Sequence, residues 1–203
     1  MALTIIKYNA GNIRSVLFAL ERIGIEAEVT DDLKKIQSAD KVIFPGVGEA
    51  STAMHYLKER GLDAVIKNLK QPVLGICLGM QLMCRYSEEN NTECLGIFEE
   101  GVRRYGAEGS GARATGLKVP QIGWNNIYNL KTDLFEGVKE KSFCYFVHSY
   151  YPVPIESSII ATRTDYGTTF ASAIWRDNIY ATQFHPEKSQ GVGLQLLKNF
   201  ISL

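Results

Sequence analysis

One cysteine in this sequence is placed to act as a nucleophile. It lies in Val73-Leu74-Gly75-Ile76-Cys77-Leu78-Gly79-Met80-Gln81, where an apolar run passes through Gly-x-Cys-x-Gly into a helix-forming segment. A side chain on a tight strand-to-helix turn presents its tip at the carboxyl end of a sheet, and the flanking glycines relieve crowding there. Backbone N–H groups at the start of the following helix favour a thiolate and can stabilise an oxyanion. Such a thiol needs a base that takes its proton and later returns one to a leaving amine. His185, in Gln183-Phe184-His185-Pro186-Glu187-Lys188, suits this because imidazole titrates near neutrality. Glu187, beyond the rigid Pro186, is placed to fix the tautomer of that ring. An isolated cysteine is more often a packing residue, and that reading is kept for Cys84, Cys94 and Cys144. His148, at the end of Phe146-Val147-His148, reads as structural, and His55, in a surface helix, is assigned no role.

The elements that must position these groups alternate between strand and helix. The apolar run Leu3–Tyr8 predicts a strand buried on both faces. Apolar residues at 13, 16, 17, 20 and 23 predict a helix over Ile13–Ile23, ended by Gly24. A strand over Ile25–Thr30 follows, then a short helix to about Gln37 capped by Asp31 or Asp32. Lys41–Phe44 predicts a third strand, closed abruptly by Pro45-Gly46-Val47-Gly48. Helices over Ala50–Arg60 and Leu62–Leu69, a strand over Pro72–Ile76 and a helix over Leu78–Tyr86 complete the first half. The second half is richer in strands, over Ile122–Asn129, Phe143–His148, Ile159–Thr164, Phe170–Arg176 and Ile179–Phe184, before a last helix over Gly191–Ile201. This order predicts an α/β fold: a mostly parallel central sheet flanked by helices, with added antiparallel strands from the second half. The glycine-rich stretch Tyr105–Gly116 reads as a surface loop.

With 203 residues, 45% of them hydrophobic, the chain can bury one sizeable core, and a single domain over 1–203 is expected. Lys+Arg and Asp+Glu both number 22, so no general attraction to nucleic acid or an anionic membrane is indicated. No apolar run is long enough to span a bilayer, and the first residues lack the pattern of a secretory signal. Four cysteines without a CxxC pair and only three histidines argue against a disulfide framework or a zinc site. No phosphate-binding glycine signature occurs, so no metal or cofactor is expected, and the chain reads as cytoplasmic.

The motifs at Cys77 and His185, joined by Pro45-Gly46-Val47-Gly48, resemble the class I (triad) glutamine amidotransferases, and together they span most of the chain. Within that family the resemblance is to the glutaminase subunits of imidazole glycerol phosphate synthases. It is carried by Tyr8-Asn9-Ala10-Gly11-Asn12, the Pro-Gly-Val-Gly loop, Lys118-Val119-Pro120-Gln121-Ile122-Gly123-Trp124-Asn125 and Tyr145-Phe146-Val147-His148-Ser149-Tyr150. One departure is Gln121, where that subfamily usually carries histidine.

The resemblance implies a flavodoxin-like fold and the hydrolysis of L-glutamine through Cys77, His185 and Glu187. It implies an oxyanion hole from backbone N–H groups of Gly46, Val47, Gly48 and Leu78. It places the substrate on Gln81, Glu89, Ser149 and Tyr150, and a partner interface at Asn9, Asn12, Lys118, Gln121 and Trp124. That partner would be a (β/α)8-barrel cyclase in a one-to-one heterodimer, and ammonia would pass to it for histidine biosynthesis. Three alternatives stay open: a glutaminase serving a different synthase, such as a sugar-modifying enzyme, a non-catalytic scaffold subunit and, more weakly, a hydrolase of γ-glutamyl peptides with no synthase partner. The Pro45–Gly48 loop, with two glycines and only Val47 as an anchor, could rest in an inactive orientation until the partner docks.

Overall fold

The computed structural model describes residues 1–9, 12–106, 116–153 and 156–203. The first half builds β1 (Leu3–Ile6), α1 (Ile13–Glu21), β2 (Glu28–Thr30), α2 (Leu33–Ser38), β3 (Lys41–Gly46), α3 (Ala50–Glu59), α4 (Leu62–Lys67), β4 (Val73–Cys77) and α5 (Leu78–Met83). Short strands β5 (Tyr86–Ser87), β6 (Thr92–Glu93) and β7 (Gly101–Arg104) follow, then β8 (Gln121–Ile127), β9 (Ser142–His148) and β10 (Tyr150–Val153). The chain closes with β11 (Ile160–Asp165), β12 (Thr169–Arg176), β13 (Ile179–Thr182) and α6 (Gln190–Ser202).

The main sheet has seven strands in the order β11-β12-β13-β4-β3-β1-β2. β2, β1, β3, β4 and β13 run parallel, while β12 and β11 are antiparallel additions at one edge. Successive side chains of a strand face opposite sides, and that alternation splits the core in two. Ile6, Val42, Phe44 and Val73 meet residues of α2, α3, α4 and α5 on one face. Ile5, Ile43, Leu74 and Ile76 meet α1 and α6 on the other, through Val16, Leu20, Leu197 and Phe200. The expected α/β architecture is therefore observed. Among the described residues no helix is long and apolar enough to cross a membrane.

Several boundaries differ from the sequence expectation, each for a tertiary reason. β3 does not stop at Phe44: Pro45 and Gly46 continue it, because they stand in register with Ile76 and Cys77 of β4. The α2 cap agrees with the expectation and is settled locally: of the two candidates, Asp32 accepts the N–H groups of Lys34 and Lys35 at 2.9 and 3.0 Å. α5 ends at Met83 instead of near Tyr86. Its last carbonyls are taken by a later segment, with Leu95 N–H on Leu82 and Ile97 and Phe98 N–H on Met83. Tyr86 instead enters a small sheet of order β10-β7-β5-β6, which no local pattern foretold. The Tyr105–Gly116 expectation falls mostly outside the described residues. Tyr105 itself is fully buried, stacked among Tyr151, Phe170 and His148.

Candidate active site

The site lies at the carboxyl ends of the parallel strands, where open α/β sheets commonly bind ligands. Cys77 is the last residue of β4 and the residue immediately before α5, with φ 53° and ψ −107°. A positive φ is uncommon for a residue with a side chain, and here the sheet behind and the helix ahead impose it. Gly79 allows this packing, because a Cβ there would strike the carbonyl of Phe44 in β3. Gly79→Ala is expected to cost about 3 kcal/mol, or roughly 6–12 °C in Tm, since a backbone carbonyl cannot rotate away. An unchanged thermal melt of that variant would remove this account of the elbow.

His185 follows β13 and is anchored by its N–H on the Tyr145 carbonyl at 2.9 Å. Pro186 starts a 3-10 turn over Pro186–Lys188 that folds Glu187 back towards the ring. The His185 Nδ1 to Glu187 Oε1 distance is 2.7 Å, and the two side chains are 1% and 2% exposed. At that burial the carboxylate fixes the tautomer, with the proton on Nδ1 and Nε2 left over. Nε2 makes no hydrogen bond among the described residues. Burial alone would push the imidazolium pKa down. The Cys77 sulfur beside the ring and the Glu187 carboxylate outweigh it and hold the pKa above its ordinary value.

A cavity of about 420 Å³ opens over Cys77. Its wall includes Val47, Gly48 and Leu78 together with Gln81, Glu89, Ser149 and Tyr150. Gly46 lies just behind that wall, paired with Cys77 in the sheet. Glu89 accepts the Ala50 N–H at 2.8 Å, and its half-buried carboxyl has a pKa raised mainly by desolvation. His148 is buried and also edges the cavity.

Gln183 is a polar residue to which the sequence reading gave no role. Fully buried, it donates from Nε2 to the Cys77 sulfur at 3.6 Å. Gln81 then donates to Gln183 Oε1 at 3.1 Å and to the Tyr150 carbonyl at 2.9 Å. The same carbonyl lies 2.8 Å from His148 Nδ1, and the Gln121 side-chain amide lies 3.1 Å from His148 Nε2. A polar chain thus runs from Gln121 to the nucleophile. The only signal for Gln183 was an amide at the end of an otherwise apolar strand. Val147, whose carbonyl lies 3.8 Å from the Cys77 sulfur, and Lys188, which lines the cavity, were also missed.

Gln121 requires a correction. Expected at the partner surface, it is only 3% exposed. Side chains alternate along β8, so Ile122 and Trp124 face outward while Gln121 faces in. Burial lowers the His148 pKa to about 4, so the ring is neutral. Its Nδ1 lies 2.8 Å from the Tyr150 carbonyl and its Nε2 3.1 Å from Gln121 Oε1, which also accepts the Tyr105 hydroxyl at 3.2 Å. The other interface candidates are accessible: Asn9, Lys118 and Trp124 are exposed and Asn12 is half-buried. Ile122 (63% exposed) and Phe143 (57%) join Trp124 (47%) in an apolar patch that the sequence reading did not anticipate.

The family model for glutamine amidotransferase class-I matches residues 5–203. The chain belongs to the class I glutamine amidotransferases. Among curated members, it is 58% identical to the imidazole glycerol phosphate synthase subunit HisH of Bacteroides fragilis, with both chains covered completely. It is 48% identical to the HisH subunit of Haemophilus influenzae, over 98% of this chain and 96% of that one. At these identities this amidotransferase belongs to the HisH group. Solved structures share the amidotransferase fold at lower identity. A glutamine amidotransferase superposes with a TM-score of 0.73 at 18% identity, covering 98% and 97% of the two chains. PurLQS from Thermotoga maritima superposes at 0.72 and 17% identity, covering 99% and 97%.

Proposed function

We infer that this chain is the glutaminase subunit of an imidazole glycerol phosphate synthase. It hydrolyses L-glutamine to glutamate and ammonia for a step of histidine biosynthesis. The observation that carries the chemistry is the buried His185–Glu187 pair beside Cys77, which lines a cavity with room for glutamine.

The Cys77 thiolate attacks the side-chain amide carbon of glutamine, and the carbonyl π electrons move to oxygen. Backbone N–H groups of the 46–48 loop and of Leu78 stabilise that oxyanion. The C–N bond then breaks as the His185 imidazolium gives its Nε2 proton to the departing nitrogen, leaving ammonia and a γ-glutamyl thioester. Neutral His185 next takes a proton from water, whose oxygen attacks the thioester carbon. The C–S bond breaks, glutamate forms and the thiolate–imidazolium pair returns. Glu187 holds the ring in the one tautomer that serves both halves. Gln81 and Glu89 hold the amide and α-amino ends of the substrate, while Ser149 and Tyr150 hold its α-carboxylate.

Ammonia that reaches bulk water becomes ammonium and loses its nucleophilic lone pair, so a docked acceptor enzyme is needed. We propose a (β/α)8-barrel cyclase in a one-to-one complex, in the cytoplasm. It would use the ammonia on a phosphoribulosyl-formimino aminoimidazole carboxamide ribonucleotide. Its products would be imidazole glycerol phosphate and an aminoimidazole carboxamide ribonucleotide. The exposed Ile122, Trp124 and Phe143 supply an apolar contact for it, beside Lys118 and Asn9.

Glutamate release by the chain alone, with the cyclase, and with cyclase plus nucleotide tests this reading. Stimulation of tens of fold by partner and ligand is expected, the range typical of coupling between sites. Equal turnover with and without them would move the acceptor to another pathway and remove the gated loop.

A further inference from the structure

Tyr8 follows β1 and packs on Phe44 of β3, with ring centroids 5.3 Å apart. The side chain is buried, and its hydroxyl has no hydrogen-bond partner among the described residues. A buried hydroxyl without a partner is unfavourable and uncommon, so its persistence asks for a reason. Its location supplies one. The hydroxyl fills the space that a side chain on Gly46 would need, so it lies directly against the end of β3. Gly46 leads into Val47 and Gly48, which wall the cavity, and it stands in register with Cys77. Tyr8 itself does not line the cavity, and the space its hydroxyl fills beside Gly46 is bounded also by Leu78 Cβ and the Gly79 N–H at the start of α5. Burial first, and then the Cys77 sulfur, raise the Tyr8 pKa well above the ordinary value.

A peptide unit is planar, and its N–H and C=O point in opposite directions. When a peptide of the 46–48 loop turns its N–H into the cavity to meet an oxyanion, its carbonyl must turn to the back. We propose that the Tyr8 hydroxyl is the donor that receives this carbonyl, making Tyr8 a positioning residue for the oxyanion hole. The inference rests on the glutaminase reading above. The unpartnered hydroxyl belongs to the resting orientation of the loop, and the hydrogen bond forms in the hydrolysing one. Tyr8 also immediately precedes Asn9, which is exposed and donates to the Thr52 carbonyl at 3.2 Å. Contact at the proposed partner surface is therefore one residue from the donor that would hold the loop.

The test is Tyr8→Phe, assayed in the complex with the cyclase and its nucleotide. The variant keeps the ring packing and removes only the oxygen. A roughly tenfold fall in kcat for glutamine is expected, with KM within about twofold of the unmodified protein, the pattern of an interaction made only in the transition state. Ammonia-driven synthesis should be unchanged, and Tm should be unchanged or higher, because phenylalanine leaves no buried hydroxyl unsatisfied. Glutamine turnover within twofold of the unmodified complex overturns the proposal. So does a fall in kcat accompanied by a lower Tm or by equal loss of ammonia-driven synthesis, since either marks a merely structural role. If the unmodified complex itself fails to hydrolyse glutamine, the glutaminase reading has failed instead.

Discussion

In the complex with the proposed cyclase, Cys77→Ala is expected to reduce glutamine-dependent synthesis by about 10⁴-fold or more while leaving ammonia-dependent synthesis intact. The first half of the result follows from the chemistry. Without sulfur no thioester forms, and water alone must attack an unactivated amide. The second half follows from the architecture. Cys77 Sγ is a terminal atom beside the Val147 carbonyl, the Gln183 amide and the His185 ring, so its removal disturbs little packing. Alanine at φ 53° carries the same backbone strain as cysteine, so the elbow keeps its shape. The comparison needs glutamine and an ammonium salt as alternative nitrogen sources, with imidazole glycerol phosphate as the readout. Loss of both activities would mean that Cys77 serves assembly of the complex rather than catalysis.

Glu187→Gln is expected to lower kcat for glutamine by about 10²–10⁴-fold with little change in KM. The substitution keeps volume and burial but replaces one of the two carboxylate oxygens with an NH₂ group. The Nδ1–H to Oε1 bond at 2.7 Å is the contact that selects the tautomer. An amide NH₂ facing Nδ1 selects the opposite one, which places the ring proton on Nε2 and leaves His185 unable to accept from thiol or water. The pH profile supplies a second readout. Together with the Cys77 sulfur, Glu187 raises the His185 pKa against the opposing effect of burial. Without the carboxylate, the imidazolium that protonates the departing amine is lost at lower pH. The limb of the kcat profile that reports this group should therefore move to lower pH. A variant with kcat within tenfold of the unmodified enzyme and an unmoved limb would sink the assignment of Glu187 as orienter.

The features legible in the sequence share one property: each is encoded within a few residues of the chain. The elbow at Cys77 needs a strand, glycines two positions either side and a helix, all within Val73–Met83. The His185–Glu187 pair needs only the Pro186 turn between them. Apolar runs against three- and four-residue spacing separate strands from helices, and their alternation implies a parallel sheet covered on both faces. Even the inward aim of Gln121 was readable, because two-residue alternation puts it opposite Ile122 and Trp124.

The remainder was settled by contacts between segments far apart in the chain. α5 stops at Met83 because residues 95–98 take its last carbonyls, not because its own sequence falters. β7 and β10 are short and far apart in sequence: β10 becomes a strand by pairing with β7, Tyr150 opposite Arg104, and β7 pairs on its other side with β5. Gln183 meets Gln81 across 102 positions and Cys77 across 106, so no local pattern could announce that buried amide chain. The unpartnered Tyr8 hydroxyl against Gly46 is likewise visible only once β1 and β3 lie side by side. The sequence by itself determined the candidate nucleophile, base and orienter and how each is locally presented, since turn and strand geometry act over a handful of residues. Only the tertiary structure decided what surrounds those atoms, because burial and hydrogen-bond partnership belong to pairs of segments rather than to either one.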